Sequence, residues 1–183
     1  RYGAGRRGDV ASLVRAGHEA GVRVFSAPRI NLDGEPISST RIRAHVAAGE
    51  IETVNSLLGY AYFAIGRVQP GRQLGRTIGF PTANLHPQNR VIPKFGVYAT
   101  ATLIDGSWRR SITNVGIRPT FDDGKTPSIE TFVFDFDGDL YGHEMEVEFI
   151  GFIRGDRKFA SPEELVQQMD VDVAQARAIL AAG

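Results

Sequence analysis

Gly75-Arg76-Thr77-Ile78-Gly79-Phe80-Pro81-Thr82-Ala83-Asn84-Leu85 sets two glycines, a proline and two oxygen-bearing polar side chains in one short run. The glycines permit backbone torsions and close ligand approach that a Cβ would block. Pro81 fixes its own φ and pushes Phe80 out of the α region, so the chain is extended here. If the extension continues, Thr82 and Asn84 project to one face and Ala83 and Leu85 to the other. A hydroxyl and an amide oxygen are hard, neutral donors. They suit a Mg²⁺ that takes most of its negative ligands from phosphates. The same side chains would also serve a plain turn into a strand, bonding local backbone.

Outward from this run the chain reads as short strands. Tyr60–Val68 is the first. Val97–Ile104 alternates Val97, Ala99, Ala101 and Leu103 with Tyr98, Thr100 and Thr102. Asp105-Gly106 is a hairpin signal before Trp108–Val115. Ser128–Asp137 follows, and His143–Ile153 alternates Glu144, Glu146 and Glu148 with Met145, Val147 and Phe149. Regularly spaced antiparallel strands with turn signals predict a closed sheet, though period alone does not separate a barrel from a sandwich. Ser161-Pro162-Glu163-Glu164 is a helix start with a cap, a first-turn proline and a capping-box glutamate. That helix carries Leu165, Val166 and Met169. Asp172 is expected to cap a separate last helix with the stripe Val173, Ala176, Ile179 and Leu180.

Glu130 is the most informative carboxylate. It shares strand parity with Phe132, Phe134 and Phe136, which predicts that it points inward, with Asp135 and Asp137 on the outer face. A carboxylate at an apolar rim must pair, ligate or lose its charge.

The N-terminal part has a different texture. Asp9 caps a helix carrying Val10, Leu13 and Val14, with Gly21 as its stop. Val22–Phe25 reads as a short buried strand, and Asp33-Gly34 as a turn. Ile37-Ser38-Ser39-Thr40-Arg41-Ile42-Arg43 opens a helix to about Ala48, and Glu50–Leu58 is a short helix ending at Gly59. Hydroxyls and arginines at a helix start suit a phosphate, and equally a capped surface helix.

Composition sets the outer bounds. Over 183 residues Lys+Arg and Asp+Glu are both 21, so the broad basic footprint of a nucleic-acid binder is lacking. Cys is absent, which excludes disulfides and thiolate metal sites. His18, His45, His86 and His143 have no metal-ligand spacing. With no apolar run of spanning length, the chain is expected to be soluble and cytoplasmic, with no membrane or nucleic-acid partner.

The run 75–85 resembles the signature loop of riboflavin kinases, which make FMN from riboflavin and ATP. Thr113-Asn114-Val115-Gly116-Ile117-Arg118-Pro119-Thr120-Phe121 resembles that family's second motif. Glu130-Thr131-Phe132, Asp135-Phe136 and Asp139-Leu140-Tyr141-Gly142 resemble its third. The resemblance runs from about residue 58 to the end and is highly specific. It implies a mainly β fold, a six-stranded antiparallel, Greek-key-like barrel with C-terminal helices bordering the flavin pocket. It implies Glu130 as the base toward the riboflavin 5′-hydroxyl, and Thr82 and Asn84 as ligands to the Mg²⁺ that accompanies ATP. Gly75, Arg76, Gly79 and Pro81 would shape the loop over the nucleotide, with Asn114 and Thr120 on the nucleotide side. This is not a Walker loop, since no Gly-Lys-Ser/Thr follows the glycines. Arg154, Arg157, Lys158 and Phe159 form a basic loop ending in an aromatic, which reads either as a solvated connection or as a flap over substrate. The resemblance favours the flap, with Arg154 and Phe159 toward the substrate. Riboflavin or FMN and ATP or ADP are the implied small-molecule partners.

The opening of the chain carries a second resemblance. Ile37–Arg43 resembles the ATP-phosphate motif that closes the adenylyltransferase domain of bacterial bifunctional FAD synthetases, with Ser39, Thr40 and Arg43 at nucleotide-binding positions. The first nine residues resemble the flavin-side loop of that domain. A helix–strand–helix is too small for a complete doubly wound domain, and no Gly-Phe-Asp-Gly or His-x-Gly-His run is present. Residues 1–57 are therefore read as an α/β remnant with a linker, and 58–183 as the kinase domain, forming FMN but not FAD. A β-barrel that binds flavin or nucleotide without turnover is the competing reading. Such a binder is free to lose Glu130, Thr82 and Asn84, and all three are present.

Overall fold

A computed structural model describes residues 3, 5, 7–71, 75, 78–89, 91–119 and 125–182, with backbone alone at 118, 119, 125 and 126. Two compact units divide at Ile37 and Ser38. The first holds α1 (Val10–Glu19) and the two-residue strands β1 (Asn31–Leu32) and β2 (Glu35–Pro36). Asp9 caps α1 in a reciprocal box with Ser12. Asp33 and Gly34 both have positive φ, which forms the tight β1–β2 turn. Val22–Phe25 is not the buried strand that its composition predicts. Val22 and Phe25 are exposed, and the segment pairs with no described strand. Apolar side chains alone do not make a strand without a sheet to join.

The second unit begins with α2 (Ser39–Ala48), capped by Ser38, and α3 (Ile51–Leu58), which ends at Gly59. The strands are β3 (Tyr62–Gln69), β4 (Ala83–Pro87), β5 (Gly96–Ile104), β6 (Ser107–Pro119), β7 (Lys125–Val133) and β8 (Glu144–Gly155), and α4 spans Pro162–Ala182. The strands close into an antiparallel barrel in the order β3-β4-β7-β6-β5-β8. β4 pairs with β7 rather than with β5, the crossover of a Greek-key arrangement. Asp105 and Gly106 are both at positive φ and set the β5–β6 register from Ile104↔Ser107 to Gly96↔Val115. α3 buries Ile51, Val54 and Leu57 and packs on β3 and β8, each buried side chain contributing roughly 1.5–3 kcal/mol. Asn55 fastens it: its amide donates to Phe149 O (2.9 Å) and its carbonyl accepts from Tyr62 N–H (2.7 Å).

The lumen has an apolar part and a hydroxyl part. Ala64, Val68, Leu85, Tyr98, Val115, Ile129, Met145, Val147 and Phe149 pack together. Beside them Thr100, Thr102, Ser111, Thr113 and Thr131 are fully buried. Their hydroxyls form one chain: Thr102 to Ser111 (2.8 Å), Ser111 to Thr100 (2.7 Å), Thr100 to Thr113 (2.9 Å) and Thr113 to Thr131 (2.9 Å). The polar half of the β5 alternation thus lies inside. The apolar half, Val97 and Ala99, lies outside under α4, in a cluster with Ile112, Phe134 and Ala176.

Three expectations for the C-terminal part are corrected. β7 ends at Val133 rather than Asp137, because Asp135 is left-handed (φ 54°) and breaks the alternation. Residues 162–182 form a single helix instead of two, so Asp172 is not a cap but a mid-helix residue, only 2% exposed. Neither Gly nor Pro interrupts the run, and an ion pair described below compensates the buried carboxylate. Ser161 does cap α4, accepting from Glu164 N–H, but the Glu164 carboxylate accepts from Ala160 N–H, one residue beyond the expected box. No described helix is long and apolar enough to cross a membrane.

Thr113 is the link between two other buried hydroxyls. Thr113→Val removes both bonds while keeping shape, and is expected to cost about 1–3 kcal/mol. Urea unfolding at unchanged m-value measures it.

Candidate active site

The pairing register places the candidate residues in one row around the barrel. Arg154 on β8 faces Val97 on β5, Val97 faces Asn114 on β6, Asn114 faces Glu130 on β7, and Glu130 faces Asn84 on β4. Directly opposed residues share a face. β8 carries two register shifts against β5, each adding one residue to β8. Together they offset the register by two, which restores the alternation and leaves Arg154 on the same outer side as Val97.

This row is on the outside of the barrel, which corrects the expectation that Glu130 points inward. Ile129, Thr131 and Val133 are the buried, lumen-facing set of β7. Phe132 and Phe134 do mark an apolar face, but that face is apolar because α4 covers it. Phe136 lies beyond the left-handed Asp135, where the guanidinium of Arg109 stacks on it (5.1 Å).

The loop before β4 is held by its own backbone. Gly75 O accepts from Phe80 N–H (2.8 Å) and Ile78 N–H (3.2 Å). A Cβ on Gly75 would lie 2.2 Å from Phe80 O, and Gly79 has φ 89°, so both positions require glycine. Phe80 packs edge-on against Phe132 (5.4 Å), which fastens the loop beside Glu130. Ala83 and Leu85 face the lumen, and Asn84 lies on the row. Pro81 and Thr82 lie just before β4. Arg76 and Thr120 lie outside the described residues.

Two clefts meet at Thr82. The first, about 250 Å³, contains Gly75, Thr82, Asn114, Glu130 and Arg154, walled by Val97, Ile112 and Phe132 and roofed by Leu165, Met169 and Val173 of α4. The second, about 530 Å³ and more polar, runs from Pro81, Thr82 and Ala83 to Asp137, Asp139, Leu140 and Tyr141. Among the described residues no group of three His, Cys, Asp or Glu could hold a metal. Thr82 and Asn84 carry hard, neutral oxygens, a donor type that suits a Mg²⁺ arriving with phosphate oxygens rather than a protein cage.

The roof is fastened at both ends. Arg157 donates to Glu164 (2.7 Å) and Gln168 (3.0 Å), and the Phe159 ring lies under Arg157 (4.7 Å) and Arg154 (5.6 Å). Toward the C-terminus Arg177 grips Asp135 (2.9 and 3.1 Å) and stacks on Phe134 (4.4 Å). The Arg177 guanidinium holds the Asp135 carboxyl below its ordinary pKa. Between them Arg154 forms a bidentate pair with Asp172, whose Oδ1 also accepts from Gln168 (2.8 Å). Sequence reasoning missed Asp172 and Gln168. Their i, i+4 spacing would have placed them on one face had the tail been read as one helix. Ser39, Thr40 and Arg43 stand exposed on the first turns of α2, on a different element from the row.

A closed antiparallel barrel with its polar row outside, beneath a C-terminal helix, defines the class. Residues 58–180 match the Flavokinase family, described as riboflavin kinase, and the chain belongs to that family. It is 39% identical over 181 residues to a bifunctional riboflavin kinase/FMN adenylyltransferase of Pseudomonas fluorescens, covering 98% of this chain and 58% of the relative. The protein of the same description from Haemophilus influenzae is 40% identical over 179 residues, covering 97% and 58%. A solved structure from Streptococcus pneumoniae, described as a macrolide-efflux protein, superposes with TM-score 0.83 at 32% identity, covering 97% of this chain and 57% of that one. The chain thus spans a little over half the length of these relatives.

The Glu164 carboxyl is held below its ordinary pKa by the Ala160 N–H and by Arg157. A depressed folded pKa means the contact is intact at neutral pH and is lost only as pH falls through that value. The Ala160 amide resonance is therefore expected to titrate with a midpoint below about 4.3, the unperturbed Glu value. An NMR pH series reads it, and Glu164→Gln abolishes the titration.

Proposed function

We propose that the chain transfers the γ-phosphoryl group of ATP to the 5′-hydroxyl of riboflavin, giving FMN and ADP. The observation that carries this reading is the position of Glu130, between Asn84 and Asn114 in the outer row and lining the same cleft as Thr82. The helix-roofed apolar cleft suits the flat flavin, whose ribityl chain would run toward Glu130. The more polar cleft on the other side of Thr82 suits the nucleotide. Membership of the riboflavin kinase family favours turnover over a binding module.

Phosphoryl transfer asks mainly for positioning and charge neutralisation. Thr82 and Asn84 would hold the Mg²⁺ of Mg–ATP, which supplies neutralisation of phosphate charge. Glu130 orients the acceptor hydroxyl and takes its proton. Gly75 and Gly79 bring the loop backbone close to the phosphates. α4 excludes water from the acceptor and so limits transfer to water. Residues 1–57 we assign to the end of an adenylyltransferase domain, with Ser39, Thr40 and Arg43 as its nucleotide-facing residues. Adenylylation of FMN to FAD would belong to a whole protein of the relatives' length.

Incubation with riboflavin, ATP and Mg²⁺ followed by chromatography is expected to give FMN, and absence of FMN refutes the kinase reading. Glu130→Gln is expected to lower kcat roughly 10²–10⁴-fold with flavin and nucleotide affinities little changed. Turnover within a few-fold of wild type would make Glu130 a structural residue.

Thr82→Ala or Asn84→Ala is expected to weaken ATP binding chiefly when Mg²⁺ is present. Titration calorimetry with and without the metal checks this. Equal loss in both conditions assigns these side chains to loop structure.

A further inference from the structure

The Arg154–Asp172 pair has no place in the phosphoryl-transfer scheme, yet it is the most deeply buried ion pair among the described residues. Asp172 stands on α4 among apolar neighbours, Met169, Val173 and Ala176. Its two oxygens take three contacts from Arg154 (Nε at 3.0 Å to each, Nη2 at 2.7 Å) and one from Gln168. Apolar residues of similar volume often replace a buried ion pair at no loss of stability, so stability alone is a weak reason for this one.

Donor arithmetic gives a better reason. Arg154 has five N–H groups in a rigid planar fork. The Nε–H and one Nη2–H go to Asp172, and one Nη1–H goes to Gly155 O (3.0 Å). Among the described residues one N–H on each terminal nitrogen remains without an acceptor, in a direction fixed by the fork. Arg154 and Asp172 both line the acceptor cleft, and Arg154 stands three strands from Glu130 along the row. At strand spacing that is on the order of 14 Å. An acceptor whose hydroxyl is at Glu130 therefore brings its far end, not its reacting end, to Arg154. In riboflavin the far end is the ring system, whose carbonyl oxygens are hydrogen-bond acceptors in an otherwise apolar surface.

We infer that Asp172 is a positioning residue for the acceptor: it aims the Arg154 fork so that its two remaining N–H groups meet carbonyl oxygens at the ring end of riboflavin. The inference rests on the riboflavin kinase reading. It narrows the substrate contact that the family resemblance implies for Arg154 to the ring end, distant from the phosphates, and gives Asp172 a role exerted through Arg154.

The test is riboflavin binding, followed by quenching of riboflavin fluorescence without ATP, alongside steady-state kinetics. Asp172→Asn is expected to raise the riboflavin Kd and KM about tenfold, with kcat within a few-fold and the KM for Mg–ATP unchanged. Arg154→Met is expected to do the same, and the double variant to be no weaker than Arg154→Met alone, because Asp172 acts through Arg154. If Asp172→Asn does not fold, Arg154→Lys decides. It keeps a cation beside Asp172 but not the fork, and is expected to bind riboflavin about tenfold more weakly while still folded. Wild-type riboflavin affinity in Asp172→Asn or in Arg154→Lys, or losses that multiply in the double variant, overturns the inference. Failure of the wild-type protein to form FMN would instead overturn the kinase reading, and the binding measurements would separate the two.

Discussion

The hydroxyl chain from Thr102 to Thr131 is the constraint on which the rest depends. A closed six-stranded barrel has a narrow lumen, and short side chains that satisfy one another fill it without leaving buried donors unpaired. With threonines inside, the apolar partners in the β5 alternation must be covered from outside. α4 provides that cover, and the gap between roof and wall becomes the cleft that Glu130 and Arg154 line. The polar interior and the position of the cleft are thus one consequence of the same alternation.

Candidate catalytic residues on the outer face of a strand-paired wall have an advantage of precision. Asn84, Glu130 and Asn114 are held by strand pairing on both sides, so their spacing follows from the ladder and not from loop conformation. The parts that must admit substrate sit on the other side of the cleft. The roof is attached through long side chains, Arg157 to Glu164 and Arg177 to Asp135, both solvent-exposed pairs of modest strength. Arg154 and Asp172 lie between these attachments and are largely shielded from water. A firm wall with a more loosely fastened roof suits a reaction that needs entry, exclusion of water and release.

Much of the chain was legible from local chemistry. Asp9, Ser38 and Ser161 cap their helices as their side chains predict, Gly59 ends α3, and Asp105-Gly106 turns the β5–β6 hairpin. Each of these rests on contacts within a few residues, where sequence and geometry coincide. The six-stranded barrel came from family resemblance, since alternation is compatible with a sandwich as well. The segment Val22–Phe25 shows the opposite case: its composition favours a strand, but strand formation requires a partner that local sequence cannot supply.

For the site, the sequence alone determined which side chains have the chemistry: the loop glycines, the hard oxygens of Thr82 and Asn84, and a carboxylate in phase with phenylalanines. It also determined that Glu130 and Phe132 share a face. Which face that is was decided only by the tertiary structure, because both sides of β7 are covered, one by the lumen and one by α4. Alternation distinguishes two sides of a strand but carries no label for inside when neither is left to water. The same holds for the row that joins Arg154, Val97, Asn114, Glu130 and Asn84 across five strands, and for the pairing of Arg154 with Asp172 from a helix eighteen residues on. Those neighbours are set by register and closure, long-range pairings that no local sequence window contains.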